Sequence, residues 1–304
     1  MPPSKKTTTP PVVAAAPGAA TVPIGKIDTT PKELTTAITD QRCAVFVGAG
    51  LSKGAGYPNW EQLLKDLIQK CLEWRDIDDA QAKELTDLVD TKESEKFLLV
   101  AQELSDRFGR ERFLDEIVTV FGDDTKVPTA AHEELTRIKF NFAITTNYDR
   151  LIEHSYGKAG VFLSPYMHSS AADFIDKLWR NKFFILKAHG DVDHKNQIVI
   201  TERDYREIIF RSKGYQSALA AIFTTRTVLF VGVSLSDPET KLLLAYLHDA
   251  FHGSGARHFA LVPRNQFTQT VVSRWRKDYR VECILYDPTK DHPEVVSFLK
   301  SLPH

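Results

Sequence analysis

Cys43-Ala44-Val45-Phe46-Val47-Gly48-Ala49-Gly50-Leu51-Ser52, residues 43–52, is the stretch on which the fold turns. Five apolar residues in a row mark a strand covered on both faces, because a strand with one wet face alternates. The glycines that follow make a tight turn where a helix is expected to begin. A buried strand running through a glycine turn into a helix is the unit of a parallel α/β sheet, and such sheets bind ligands at the ends where their strands stop.

Two more loops follow apolar runs in the same way: Thr145-Thr146-Asn147-Tyr148-Asp149 and Lys187-Ala188-His189-Gly190-Asp191. Strands are expected at Phe140 to Ile144, Phe183 to Leu186, Gln197 to Ile200, Val228 to Val231, His258 to Val262 and Val281 to Leu285. Helical patterns fall between most of them, at Thr201 to Phe210, Tyr215 to Thr224, Pro238 to Phe251, Gln266 to Lys277 and Pro293 to Leu302. Upstream, Thr30-Pro31-Lys32-Glu33 reads as an N-cap, a proline at the first helical position and a capping-box Glu, opening a helix to about Asp40. From Trp60 to Ile138 the pattern is amphipathic and helical throughout. That is too long for one crossover. The expected architecture is therefore a Rossmann-like parallel sheet with helices on both faces and a helical module inserted at about residues 60–138.

The chain has 304 residues, 42% hydrophobic and 26% charged, which suits a globular domain over residues 27–304. Residues 1–26 are rich in Pro, Ala and Thr and are expected to form a disordered arm, since Pro10, Pro11 and Pro17 break any signal-peptide core. A net charge of -1 shows no global bias toward nucleic acid or anionic membrane, and no direct nucleic-acid binding is expected. No apolar run reaches the roughly 20 residues that span a bilayer. Three cysteines, Cys43, Cys71 and Cys283, form no C-x-x-C pair, so no zinc is expected and a reducing, cytoplasmic setting suits them.

The loops carry the candidate chemistry. Gly48, Ala49 and Gly50 let a backbone approach a pyrophosphate, with Ser52 as a further donor; a turn built only for strand–helix packing is the alternative. Asn147 stays neutral and can orient a water or a ribose hydroxyl, while Asp149 is either an acceptor or the N-cap of a helix Arg150 to Ser155. His189 titrates near neutrality at a strand end, as a general base or as a hydrogen-bonded core histidine. Gly232 and Ser234 follow a fourth strand, and Asp237-Pro238 reads as a helix start. His248 and His252 lack the H-E-x-x-H pattern and read as packed or solvated.

Taken in order, these segments resemble the sirtuin fold, whose usual pattern is a G-A-G-x-S loop, a T-Q-N-x-D loop, an H-G pair and a later G-[TSV]-S segment. The departures are specific. The four-cysteine zinc ribbon of the deacylases cannot be built here, Glu61 stands where they carry Arg, and Thr146 replaces the usual Gln. Asn265 is the nearest counterpart of the late Asn that meets the adenosine ribose. This set looks like the bacterial sirtuin-like domains of anti-phage defence systems, among them the HerA-associated type.

That resemblance implies an NAD+ glycohydrolase that splits the nicotinamide–ribose bond and depletes NAD+ in defence. Asn147 and His189 would be the catalytic pair. Gly48, Ala49, Gly50 and Ser52 would hold the diphosphate, Asp149 would face the carboxamide, and Gly232 and Ser234 would line the adenosine side. It also implies a homo-oligomer, or a partner such as a HerA-type hexameric ATPase, a short Argonaute or a nucleotide sensor. A non-catalytic nucleotide-binding scaffold for an ATPase is the alternative, with an NAD-dependent protein deacylase behind it.

Overall fold

The computed structural model describes residues 24–235 and 237–304; the arm expected over residues 1–26 lies, up to position 23, outside them. Seven strands form one sheet: β1 (Cys43–Val47), β2 (Ala143–Thr145), β3 (Tyr166–Met167), β4 (Ile185–Lys187), β5 (Thr227–Val231), β6 (His258–Pro263) and β7 (Val281–Tyr286). Their spatial order is β3-β4-β2-β1-β5-β6-β7, and every pairing is parallel. From β1 the chain builds one side through β2, the edge strand β3 and then β4 between them, and the other side through β5, β6 and β7 in turn. The switch in direction lies between β1 and β5, where Val47 stands level with Val231, and a crevice opens at such a point.

Among the described residues, fourteen helices accompany the sheet. They are α1 (Lys32–Thr39), α2 (Ala49–Lys53), α3 (Trp60–Glu73), α4 (Asp79–Asp90), α5 (Ser94–Phe108), α6 (Arg110–Phe121) and α7 (Ala130–Leu135), then α8 (Leu151–Lys158), α9 (Ala171–Trp179), α10 (Glu202–Phe210), α11 (Lys213–Thr225), α12 (Pro238–Ala250), α13 (Gln269–Tyr279) and α14 (Pro293–Lys300). Side chains of β1 alternate between two cores. Ala44 and Phe46 join the core under α10 to α13, whereas Cys43, Val45 and Val47 join the core under α1, α7 and α14. Both faces are dry, which explains the unbroken apolar run.

Helices α3 to α6 enclose a third core of their own, including Leu64, Leu67, Ala101, Leu104, Phe113 and Ile117. This core also takes in Tyr148 and Leu151 from the loop after β2, and Val192, Ile198 and Ile200 from the segment after β4. The helical layer is thus bolted to the edge of the sheet that carries the candidate loops.

Several elements differ from the sequence reading. The first helix starts at Lys32, with Pro31 as an extended N-cap residue and no side-chain cap, because Pro31 already offers its carbonyl to Leu34. Gly48 to Asn59 is not one turn but contains α2. Gln197 to Ile200 is no strand. A 3-10 helix runs from Val192 to Gln197, and the following residues cross the site as a strap whose Val199 N–H donates to the His189 carbonyl. The two-residue edge strand β3 has no apolar run to announce it. On the opposite edge, Ile27 bridges Tyr286 antiparallel and covers β7.

Candidate functional site

The loops after β1, β2, β4 and β5 converge on one edge of the sheet. The turn after β1 and the turn after β5 touch. The Gly50 N–H donates to the Gly232 carbonyl at 2.8 Å. A Cβ on Gly48 would stand 2.5 Å from that same oxygen, and Gly232 has φ +67°. Gly48 and Gly232 are therefore demanded by packing, as the plain reading of the turn had it. Ala49 and Gly50 stay exposed, and Ser234 is exposed beyond Gly232.

The loop after β2 is pinned at Thr145, Asn147, Tyr148 and Asp149. Thr145 Oγ1 donates to the Val47 carbonyl at 2.9 Å and accepts from the Asn147 N–H at 3.0 Å. Tyr148 points the other way, into the helical core, and its hydroxyl donates to the Val199 carbonyl at 2.8 Å. That alternation turns Asn147 and Asp149 toward Ser52. Asn147 Nδ2 donates to Ser52 Oγ at 2.9 Å, and Ser52 Oγ donates to Asp149 Oδ2 at 2.7 Å. Asp149 Oδ1 accepts from the Leu151 N–H at 3.0 Å, but the N-cap of α8 is Arg150, so the helix starts one residue later than expected and Asp149 stands just before its cap. Both carboxylate oxygens of Asp149 thus have protein partners, and the residue is buried.

Beneath this loop lies Lys187, which is fully buried. Its ammonium pairs with Glu153 at 2.9 Å and donates to the main-chain oxygens of Asn147 and Asp149. Sequence reading assigned Lys187 no role. The available signal was a charge closing the apolar run Phe183-Phe184-Ile185-Leu186.

His189 follows β4 and is 2% exposed. Gly190, at φ +74°, lets the strap pass: a Cβ there would lie 2.3 Å from the Gln197 carbonyl oxygen. The imidazole stands edge-on to Tyr205, with Nδ1 3.5 Å from its hydroxyl. Nε2 makes no hydrogen bond but lies 3.4 Å from Glu239 and 3.7 Å from Asp237. Asp237 caps α12 through Thr240 and accepts from the Tyr205 hydroxyl at 2.8 Å. Burial disfavours a charge on the ring, yet Glu239, Asp237 and Asp204 together outweigh it and hold the histidine above its ordinary value of 6.5. His189, Asp237 and Glu239 each place a ligand atom within 4.8 Å of the others. Glu239, in the first turn of a helix, gave no sign in the sequence of turning inward.

Residues 141–284 match the profile of the SIR2-like domain family. Over that span the chain is similar to SIR2-like domains. The matched span holds Asn147, Asp149, His189, Gly232 and Ser234, and stops short of the Gly48–Ser52 turn on its N-terminal side. Over 235 residues the chain is 26% identical to "NAD(+) hydrolase ThsA" of Bacillus cereus (strain MSX-D12), covering 77% of this chain and 46% of that protein. It is 28% identical over 236 residues to "NAD(+) hydrolase ThsA" of Acinetobacter baumannii (strain 532279), covering 77% and 44%. It is 26% identical over 230 residues to "Defense-associated sirtuin 2" of Bacillus subtilis, covering 73% and 21%. The chain spans less than half the length of these relatives. Cys43, Cys71 and Cys283 are all free, and among the described residues no helix is long and apolar enough to cross a membrane. His258, at the start of β6, is a core residue that accepts from the Val228 N–H at 3.2 Å.

Proposed function

We propose that this chain is an NAD+ glycohydrolase that serves as an NAD+-depleting effector of anti-phage defence. The observation that carries the reading is the convergence of Ser52, Asn147 and His189 at neighbouring strand ends of one parallel sheet. The names of the relatives, NAD(+) hydrolases and a defence-associated sirtuin, support it.

The bond to be broken joins ribose C1′ to a cationic pyridinium nitrogen. Nicotinamide takes the bonding pair and leaves neutral, so the departure needs no general acid. The site must stabilise an oxocarbenium-like centre and deliver water to C1′. With Nδ2 committed to Ser52, Asn147 offers its amide oxygen to a ribose hydroxyl or to that water. His189 takes the proton that the water sheds as its oxygen bonds to C1′. The products are nicotinamide, ADP-ribose and one proton. Along the crevice the diphosphate would pass Ala49 and Gly50, and the adenosine half would reach Gly232 and Ser234. Self-association belongs to the same proposal and is supported by Trp179 and Phe162, which are 88% and 84% exposed. A HerA-type ATPase or another defence partner is a companion proposal.

The test follows nicotinamide and ADP-ribose by chromatography after mixing the protein, alone and with its candidate partner, with NAD+. Wild type releases both, whereas Asn147→Ala and His189→Ala release neither. NAD+ left intact by wild type, or turned over equally by both variants, refutes the assignment.

A further inference from the structure

The first turn of α12 holds an unusual arrangement. A Glu two residues past an N-cap ordinarily lies in water, where the helix dipole favours it. Glu239 instead is 3% exposed and faces the sheet edge. Its Oε1 accepts from Gln216 Nε2 at 2.6 Å, and its Oε2 looks at His189 Nε2 across 3.4 Å. Sinking a carboxylate to this depth costs several kcal/mol unless a cation or strong donors meet it. Across the gap, the buried Nε2 has no other hydrogen-bond partner. An unpartnered ring nitrogen and a buried carboxylate oxygen thus face each other.

Resting on the NAD+-hydrolase reading, we propose that Glu239 is a positioning residue for His189. Its carboxylate holds Nε2 as the N–H side of the ring, leaves Nδ1 as the basic atom, and balances the charge formed when Nδ1 takes the proton of the attacking water. The logic is that of a carboxylate behind a catalytic imidazole, where the acid fixes tautomer and orientation and stabilises the imidazolium without itself being protonated. The 3.4 Å gap belongs to the ligand-free site, and such contacts tighten when substrate binds. Tyr205 fits the scheme: its proton is given to Asp237 at 2.8 Å, so its hydroxyl does not compete for the Nδ1 lone pair. The titratable and charged groups facing the ring are His168 from the 3-10 turn before α9, Asp204 and Tyr205 from α10, and Asp237 and Glu239 from the start of α12; Tyr215 of α11 lies against Glu239. The acidic members prevail, and the ring is held above its ordinary value.

The decisive variant is Glu239→Gln, which keeps the shape and removes the charge. In the full-length protein kcat is expected to fall about 10- to 100-fold with KM unchanged, and the acid limb of the pH–kcat profile moves to lower pH. Glu239→Asp restores part of kcat. Adding Glu239→Gln to His189→Ala costs nothing further. NMR titration of the ring reads the contact independently of turnover: the His189 value drops in Glu239→Gln. Wild-type kcat and pH limb in Glu239→Gln, an additive loss in the double variant, or an unmoved ring titration overturns the assignment. So does stoichiometric Zn²⁺ binding by wild type that Glu239→Gln abolishes, since a metal would then hold Nε2. The His189 titration decides the contact even in a protein that leaves NAD+ intact, so the two readings fail separately.

Discussion

Ser52 Oγ and Asn147 Nδ2 meet at 2.9 Å across 95 residues of sequence, and the serine passes its own proton on to Asp149. One hydroxyl therefore ties the turn after β1 to the loop after β2. It satisfies a buried donor and a buried acceptor at once. Ser52→Ala strands both, at a cost of about 1–3 kcal/mol. It also frees the Asn147 amide to rotate, which is expected to slow NAD+ turnover on the order of 10- to 100-fold. Urea midpoints and nicotinamide release measure the two effects. Wild-type values in both would mean that the serine does not hold the asparagine.

The contact between the turns after β1 and β5 has almost no slack. A methyl group at position 48 would meet the main-chain oxygen of Gly232 at 2.5 Å, and one at 232 would meet the main-chain nitrogen of Leu51 at 2.8 Å with φ already at +67°. Backbone cannot yield as a side chain tip does. Gly48→Ala and Gly232→Ala are each expected to cost about 2 kcal/mol or more and to lower the melting temperature by several degrees. Gly109→Ala serves as the control: it too has positive φ, +79°, but the added carbon meets nothing within 4 Å. A loss at Gly109→Ala as large as that at Gly232→Ala would assign the effect at 232 to φ, and an unchanged melting temperature in Gly48→Ala, where φ is negative, would leave the close approach without weight.

Lys187 and Glu153 make the same point with charge. The lysine is fully buried, and its ammonium holds the carbonyls of Asn147 and Asp149 from below. Lys187→Met leaves a buried carboxylate unpaired and two carbonyls without their donor, a loss of about 3–5 kcal/mol. Pairing it with Glu153→Leu removes the stranded charge and is expected to recover a large part of the stability but not the activity, because the loop is still untethered. Denaturant melts and NAD+ turnover on both variants separate the two roles. Full recovery of turnover in the double variant would show that the loop holds its shape without the ammonium.

How far the site could be read from the chain depends on the kind of interaction involved. The unbroken run Cys43–Val47 announced a strand dry on both faces, and the structure gives it one core on each side. Asn147 and His189 were legible because they stand at strand ends beside Thr146 and Gly190, where chain direction alone brings side chains to one edge. Illegible were contacts set by tertiary packing. Glu239 looks like any acidic residue in a first helical turn until α12 docks against α11. The run Gln197–Ile200 looks like a strand, because a strap buried between two cores needs the same apolar residues as a ladder. The edge strand Tyr166–Met167 is too short to carry a period.

His258 gives a prediction free of the functional reading. Burial, with Arg280 adding to it, pushes its imidazole down to about 3, and Nδ1 must stay unprotonated to accept from Val228. The fold therefore favours the neutral ring. Its contribution to stability is present above the unfolded value near 6.5 and is lost as pH falls toward the folded value, at about 1.4 kcal/mol per pH unit. His132, pushed down to about 4 by burial, acts in the same direction. His189 acts in the opposite one: its raised value stabilises the fold below 6.5, and that share fades as pH rises through the folded value. Melting temperature is thus expected to drop steadily from pH 6.5 to pH 4. His258→Asn keeps an acceptor for Val228 without a titrating proton, so its curve should be flatter over that range, whatever its starting stability. Parallel curves for the two proteins would mean that the acid sensitivity resides elsewhere.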